Sequence, residues 1–192
     1  QVGAQLKPTN LAEQVHSVHE LLLPLAKNKG LSFKIRIDER LNALYFLTDK
    51  ESLPVVLKNL VSNAIKYSEQ GEVLLSVSVQ EQNERVDQAS QLIKFSVEDT
   101  GVGLSQSALD YIFEPFASSH LEHNISNSAG FGLSLSKQLV DNLGGELTVK
   151  STVNKGTTFT FMFNLPVCDA PVQVKQKAQL SEHSGTLESN RI

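Results

Sequence analysis

The segment Val97-Glu98-Asp99-Thr100-Gly101-Val102-Gly103-Leu104 places one carboxylate and two glycines at the end of an alternating apolar run. The run itself, 92–98, predicts a strand that pairs with a second predicted strand, 72–80. A carboxylate at a strand end can accept a hydrogen bond from the amino group of adenine, and it disfavours guanine, which has an acceptor there. The two glycines let the backbone approach a base without a Cβ clash. Taken alone, the segment is more typical of a polar hairpin turn.

Upstream lies a predicted helix that reaches about Ser68 and has one polar face. Spacings of four place Asn59, Asn63 and Tyr67 on that face, opposite much of an apolar stripe. Asparagine is a poor residue inside a helix, so two of them carry a small cost in helix propensity. Amide oxygens are neutral, hard ligands that suit Mg²⁺ where it bridges phosphates. The other interpretation is an ordinary solvated helix face.

Two more elements follow downstream. In Phe113-Glu114-Pro115-Phe116, two aromatic residues bracket a proline, which is compatible both with a rigid hinge and with simple core packing. Gly130-Phe131-Gly132-Leu133 opens a predicted helix, 131–143, whose free N–H groups and positive dipole end can receive phosphate oxygens. The alternative for the second element is a glycine-rich helix start without a ligand.

In this order, the four elements resemble the N, G1, F and G2 boxes of sensor histidine kinase ATP-binding domains. These domains share the GHKL superfamily with type II topoisomerases, heat-shock chaperones and mismatch-repair ATPases. The resemblance spans Leu6 to Pro166 and points to a hybrid kinase. It implies an α+β fold, a two-layer α/β sandwich of the Bergerat type with a mixed, mostly antiparallel sheet and helices on one face. It also implies ATP and Mg²⁺ as cofactors. The implied ATP-binding residues are Asn59, Asn63, Lys66, Tyr67, Asp99, Gly101, Gly103, Phe113, Phe116, Gly130, Phe131, Gly132 and Leu133.

The resemblance also implies individual roles. Asn63 matches the Mg²⁺ ligand, Asn59 supports it as the second catalytic residue, and Lys66 and Tyr67 match phosphate contacts. Hydrolytic relatives have a glutamate base at the position of Asn59, and an amide cannot take up a proton at neutral pH. We therefore expect a protein-histidine kinase domain that holds ATP without splitting it quickly. The alternatives are a degenerate module that binds nucleotide and acts by protein contact and, disfavoured by Asn59, a hydrolytic ATPase.

The loop before the last glycine motif departs from the family pattern. Ser128 stands where relatives commonly have a glycine, and 117–129 contains no lysine or arginine, although many relatives have a basic residue there. Both departures bear on phosphoryl transfer more than on nucleotide binding. Protonated His120 and His123 could partly replace the missing donors, which would make transfer sensitive to pH. An unspecialised loop is the simpler interpretation, and a metal site at these histidines lacks a defined third ligand.

The run from His19 to Leu25 resembles a phosphoacceptor box of these kinases, but Leu22 and Leu23 replace its basic and polar members. Only forty positions separate His19 from Asn59, and predicted strands occupy much of that interval. No room remains for the second helix of a dimerising hairpin. We therefore expect the acceptor histidine on a dimerisation domain outside this sequence.

Composition sets the remaining expectations. The net charge of −4 gives no basic surface for nucleic acid, and the single Cys168 excludes an internal disulfide. No apolar run is long enough to span a membrane, and no signal peptide is recognisable. The resemblance to sensor kinases implies the cytoplasmic part of a membrane-bound sensor, without direct membrane contact. We expect a monomer, with residues 1–166 as the ATP-binding domain and 167–192 as a polar linker or tail, which in a hybrid kinase leads to a receiver domain.

Periodicity and capping residues predict the other elements. They are a helix from the N-cap Asn10 to about Lys29, strands at 31–37 and 44–47, a cap at Thr48 or Asp49 for the helix that reaches about Ser68, a short helix at 106–112, and a hairpin of strands 146–150 and 157–164 that turns through Asn154-Lys155-Gly156.

Overall fold

The computed structural model describes residues 5–81, 89–115 and 132–171. Three predicted site residues, Phe116, Gly130 and Phe131, lie outside the described residues, together with Ser128 and the histidines of the loop 117–129. The described elements, in chain order, are β1 (Leu6–Thr9), α1 (Leu11–Asn28), β2 (Ser32–Ile37), a 3₁₀ helix (Glu39–Asn42), β3 (Tyr45–Asp49), α2 (Ser52–Tyr67), β4 (Glu72–Gln80), β5 (Ser90–Asp99), α3 (Gln106–Leu109), α4 (Gly132–Asn142), β6 (Glu146–Thr152) and β7 (Gly156–Cys168).

The strands form one seven-stranded sheet in the order β1-β3-β7-β5-β4-β2, and β6 pairs with β7 beside this path. Every described pairing is antiparallel except β2 with β4, which is parallel. The long strand β7 organises the sheet, because it pairs with β5, with β6 and, at Val167, with Phe46 of β3. The predicted mixed, mostly antiparallel sheet is confirmed.

The core fills the space between the sheet and the long helices. Alternate side chains of β4, β5 and β7 point inward, and Phe95 stacks on Phe161 with ring centroids 5.0 Å apart. Leu53, Leu57 and Leu60 of α2 are fully buried against this layer. On the other face of the sheet, the outward positions of β4 are only partly covered. Helices on one face give the predicted two-layer α/β sandwich, and none of the helices in the described ranges is long and apolar enough to cross a bilayer.

Several predicted boundaries need correction. α2 begins at Ser52, so neither Thr48 nor Asp49 is its N-cap; both end β3. Asp49 nevertheless accepts hydrogen bonds from the N–H groups of Glu51 at 3.0 Å and Ser52 at 3.4 Å. α3 is a single turn that ends three residues before the predicted Ile112.

The ends of the chain differ from expectation as well. β7 continues to Cys168, past the predicted strand end at 164, because its last residues pair with β3. The strand β1 and the 3₁₀ helix were not predicted. The cap at Asn10 is confirmed, since its Oδ1 accepts from the N–H of Glu13 at 2.9 Å. The tail 172–192 lies outside the described residues, so its linker character stays a prediction.

Hydrogen bonds of the Asp38 side chain link the 3₁₀ helix to the end of β4. Asp38 accepts hydrogen bonds from Arg40 Nη2 at 2.6 Å and from the N–H of Val79 at 3.2 Å. Arg40 in turn donates to the carbonyl of Val79 at 3.1 Å. The side-chain bond from Arg40 is the main reason why the pKa of Asp38 is lowered from 3.8 to about 2.

A carboxyl group whose pKa is lower in the folded protein stabilises the fold above its ordinary pKa, and this contribution is lost as pH falls through the folded value. Asp38→Asn is therefore expected to lower the urea midpoint at pH 7, with the difference from the parent protein shrinking as pH falls from about 4 towards 2. Chemical unfolding at several pH values checks this. Glu39→Gln, an exposed neighbour, is the control. A difference that stays constant over this range would contradict the assignment.

Candidate functional site

Asp99 ends β5 with its carboxylate partly buried and held by the backbone. Its Oδ1 accepts the N–H of Gly101 at 2.8 Å and the N–H of Thr157 at 3.3 Å. Burial raises the pKa of Asp99, and these two backbone hydrogen bonds act in the opposite direction. Because both bonds use Oδ1, and no described residue is hydrogen-bonded to Oδ2, the second oxygen is left for a ligand donor.

Thr157 is a site residue that the sequence analysis missed. It lies directly opposite Asp99 in the β5–β7 register and is 8% exposed. Its hydroxyl lies 2.8 Å from Ser151 Oγ, which also accepts the N–H of Leu104 at 2.8 Å. The predicted hairpin turn through Gly156 could have pointed to Thr157, because the strand that follows this turn begins beside the end of β5. Thr157 and Ser151 thus fix the position of the Asp99 carboxylate and of the loop after it.

Gly101 brings the Asp99 loop against the end of α2. A Cβ on Gly101 would lie 2.5 Å from the carbonyl oxygen of Tyr67 and 2.9 Å from Asp99 Oδ1. A side chain at this position would therefore displace one of these two oxygen atoms. The next residue, Val102, donates its N–H to the same Tyr67 carbonyl at 3.3 Å. Gly103 has a φ of 67°, as the turn requires. The predicted residues Tyr67, Asp99, Gly101 and Gly103 are therefore adjacent in the structure.

The other end of the polar face of α2 meets the start of α4. Asn59 Nδ2 donates to Ser136 Oγ at 2.8 Å. Gly132, the first residue of α4, leaves room for this amide, since a Cβ there would lie 2.1 Å from Asn59 Oδ1. The predicted pair Asn59 and Gly132 is thus in contact. Tyr67 lies eight positions after Asn59, which is about 12 Å along α2.

Asn63 and Lys66 lie between these two ends. The side chain of Asn63 is partly buried, and its amide has no hydrogen bond within the described ranges. Lys66 Nζ lies 4.9 Å from the centroid of the Tyr67 ring. An amide oxygen to which no described residue donates, one helical turn from a second amide, fits the ligand chemistry of Mg²⁺ that keeps several waters. The residues present therefore fit the implied metal.

Phe113 and Leu133 pack on the rim of the core beside the site. The ring of Phe113 meets Phe159 edge to face at 6.4 Å, and Lys137 Nζ lies 5.8 Å from its centroid. Leu133 is partly buried against the same core. Both residues have packing roles here, and packing of Phe113 is compatible with a hinge at this point.

A shallow cleft of about 410 Å³ opens beside the ends of the central strands. Leu74, Glu98, Thr158 and Lys150, which line it, share one row of the sheet register and point away from the helices. Asp99 reaches this cleft, whereas Asn59, Asn63 and Gly132 do not line it. The cleft is therefore a second place to which a small molecule could bind, separate from the polar face of α2.

Comparison with known proteins identifies the family to which the chain belongs. Residues 48–167 match the family of histidine kinase-, DNA gyrase B- and HSP90-like ATPases. Sensor histidine kinase GacS of Pseudomonas protegens is 33% identical over 162 residues, which is 83% of this chain and 17% of that protein. Aerobic respiration control sensor protein ArcB of Escherichia coli K12 is 33% identical over 83% of this chain and 20% of that protein. Autoinducer 2 sensor kinase/phosphatase LuxQ of Vibrio parahaemolyticus is 33% identical over 93% of this chain and 21% of that protein.

Solved structures of histidine kinases superpose on this chain and agree with the family match. Full-length ShkA in complex with AMPPNP superposes with a TM-score of 0.72 at 29% identity, covering 89% of this chain and 33% of that one. The catalytic domain of histidine kinase ThkA has a TM-score of 0.62 at 21% identity, covering 84% and 95%, which shows the fold alone. The chain spans about a fifth of the length of the curated relatives above. It belongs to the histidine kinase-, DNA gyrase B- and HSP90-like ATPase family, as a domain of the sensor histidine kinase type.

Proposed function

We propose that this domain binds Mg·ATP and donates the γ-phosphoryl group to a histidine on a dimerisation domain outside this sequence. One observation carries the proposal. Asp99, a partly buried carboxylate whose Oδ2 accepts from none of the described residues, lies at one end of α2. The start of α4 meets Asn59 about 12 Å away along that helix. A purine at the first end and phosphates at the second would match the chemistry of both.

Each residue has a defined task in this proposal. Asp99 Oδ2 accepts from the amino group of adenine, while Gly101 and Thr157 hold Oδ1. Asn63 offers an amide oxygen to Mg²⁺, supported by Asn59, and Lys66 contributes a positive charge to the phosphates. Tyr67 lies at the other end of α2, against Gly101 and Val102, and is therefore nearer to the purine. The N–H groups at the start of α4 receive phosphate oxygens. Mg²⁺, when bound, neutralises charge on the phosphates and orients them.

The transfer itself needs a nucleophile, and we propose that none of the described pocket residues supplies it. A nitrogen of the acceptor imidazole forms a bond to the γ-phosphorus, the bond to the β–γ bridging oxygen breaks, and ADP leaves with that electron pair. Asn59 cannot act as a base for water, which supports transfer over hydrolysis. The domain contributes positioning and charge neutralisation.

His19 is a poor candidate for the acceptor. Its Nε2 lies 3.1 Å from the carbonyl oxygen of Phe33, and its ring packs on the Phe33 ring at 4.7 Å. One ring nitrogen is thus engaged with the backbone of β2, at a point where α1 covers the sheet. These contacts support an acceptor on a separate domain. Because the chain covers only 17% to 21% of its curated relatives, we also propose that further domains of a longer protein act together with this one. A C-terminal receiver domain and a cytoplasmic location are part of this proposal through the resemblance to hybrid sensor kinases.

A reconstituted reaction tests the proposal. The chain, a separately produced dimerisation domain and ATP labelled at its γ-phosphate are mixed with Mg²⁺. We expect acid-labile label on the dimerisation domain, none on this chain when it is incubated alone, and slow release of free phosphate. Binding without any transfer would favour a degenerate module that acts by contact, to which the lack of lysine and arginine in 117–129 points. Rapid phosphate release without an acceptor would instead indicate a hydrolytic ATPase.

A further inference from the structure

Ser136 places a buried hydroxyl against the amide of Asn59. It lies on α4 and is 1% exposed, and its Oγ accepts the hydrogen bond from Asn59 Nδ2 at 2.8 Å. The two residues are 77 positions apart, so this bond joins α2 to α4. No other side-chain hydrogen bond of Asn59 occurs among the residues described.

The amide of Asn59 is enclosed on a second side by the start of α4. A Cβ on Gly132 would lie 2.1 Å from Oδ1 and 3.0 Å from Nδ2 of Asn59. The amide plane therefore fits between a bare backbone at Gly132 and the hydroxyl of Ser136. The contact with Gly132 limits where the amide can go, and the hydrogen bond selects one orientation within that space.

We propose that Ser136 is a positioning residue that orients the Asn59 amide at the metal end of the site. This inference rests on the proposed function, in which Asn59 supports the Mg²⁺ ligand Asn63. Without the hydroxyl, the Asn59 amide would be partly buried with an unpaired donor and free to rotate about its terminal torsion. The start of α4, where phosphate is proposed to bind, would then lose its polar link to α2.

Within the described ranges, the Ser136 hydroxyl has no hydrogen-bond partner other than Asn59. Serine has a lower helix propensity than alanine, and a buried helix position that only packs against a core is served better by an apolar residue. Val140, one turn later on α4, is such a residue and is fully buried. The two positions therefore provide a matched pair of variants on one helix.

Ser136→Ala and Val140→Ala separate orientation of the amide from stability of α4. ATP affinity is measured by calorimetry with and without Mg²⁺, and the Asn59 side-chain amide signals are recorded by NMR without nucleotide. In Ser136→Ala we expect the Asn59 signals to shift and the Mg²⁺-dependent gain in ATP affinity to fall by about 3- to 10-fold, with little change in Mg²⁺-free affinity. Val140→Ala is expected to lower the unfolding midpoint while keeping both the Mg²⁺ gain and the Asn59 signals.

Three results would overturn the inference. One is a Mg²⁺-dependent gain in ATP affinity that is unchanged in Ser136→Ala. Another is an equal loss of that gain in Val140→Ala, which would make the stability of α4 the cause. The last is a further loss when Ser136→Ala is added to Asn59→Ala, since Ser136 is proposed to act through Asn59. Failure of the parent protein to bind ATP would instead overturn the proposed function, and the Asn59 signals in the nucleotide-free protein tell the two failures apart.

Discussion

Asp99→Asn is expected to reverse the preference of the pocket from ATP to ITP. The N–H groups of Gly101 and Thr157 both point at Oδ1, so the asparagine amide will place its oxygen on these donors and its NH₂ group where Oδ2 was. That NH₂ opposes the amino group of adenine, whereas it can donate to the carbonyl oxygen of hypoxanthine. ATP affinity should fall roughly 10- to 100-fold, the range for a lost hydrogen bond to a charged group.

Calorimetric titration of both nucleotides in Mg²⁺ measures this exchange. The fold of Asp99→Asn should survive, because both backbone donors keep an acceptor and the variant no longer buries a carboxyl whose pKa is raised by desolvation. Asp110→Asn makes the same change of charge at an exposed position and is the control. ATP and ITP affinities that change in parallel would show that Asp99 does not contact the purine.

Gly101→Ala is the second large effect that we expect. Its Cβ would lie 2.5 Å from the carbonyl oxygen of Tyr67, a backbone atom fixed at the end of α2. Either the loop or the helix end must move, and the hydrogen bond from the Gly101 N–H to Asp99 is lost with the loop. Overpacking of this kind costs about 1–3 kcal/mol of stability. ATP affinity should fall by more than about 10-fold, since the clash displaces the group that holds the Asp99 carboxylate.

Gly144→Ala is the matched control for that variant. Gly144 has a φ of 80°, and no atom lies within 4 Å of the point where a Cβ would be, so alanine there adds backbone strain without a clash. We expect it to lower the unfolding midpoint by a comparable or smaller amount and to leave ATP affinity unchanged. Thermal unfolding followed by nucleotide titration separates the two effects. Equal affinities in Gly101→Ala and Gly144→Ala would contradict the proposed position of the loop.

Local patterns in the sequence predicted most of the fold. Alternation identified β4 and β5, and the asparagine cap identified the start of α1. The same reasoning could not find β1, which is four residues long, includes a lysine and a proline, and exists because it pairs with β3 about forty residues away. The parallel pairing of β2 with β4 was missed for the same reason, since local periodicity carries no information on the partner of a strand.

The site shows the same division between local and long-range information. Spacing placed Asn59 and Asn63 on one face of α2, because helical geometry alone fixes that relation. It did not reveal that α4 covers Asn59 through Ser136, nor that Thr157 supports Asp99, because both contacts depend on the packing of distant elements. Gly101 was predicted for a close approach of the backbone to a base and Gly132 for phosphate binding at a helix start. Both glycines are also required by close contacts with α2, which local sequence could not show.

NMR mapping of the bound nucleotide tests the central claim most directly. The uniformly labelled chain is titrated with ATP and Mg²⁺, and shifts are followed at backbone and asparagine side-chain amides. A single pocket along α2 predicts the largest shifts at the N–H groups of Gly101 and Thr157 and at the side-chain amides of Asn59 and Asn63. Shifts confined to Leu74, Glu98 and Thr158, on the open face of the sheet, would place the nucleotide in the other cleft and contradict the account.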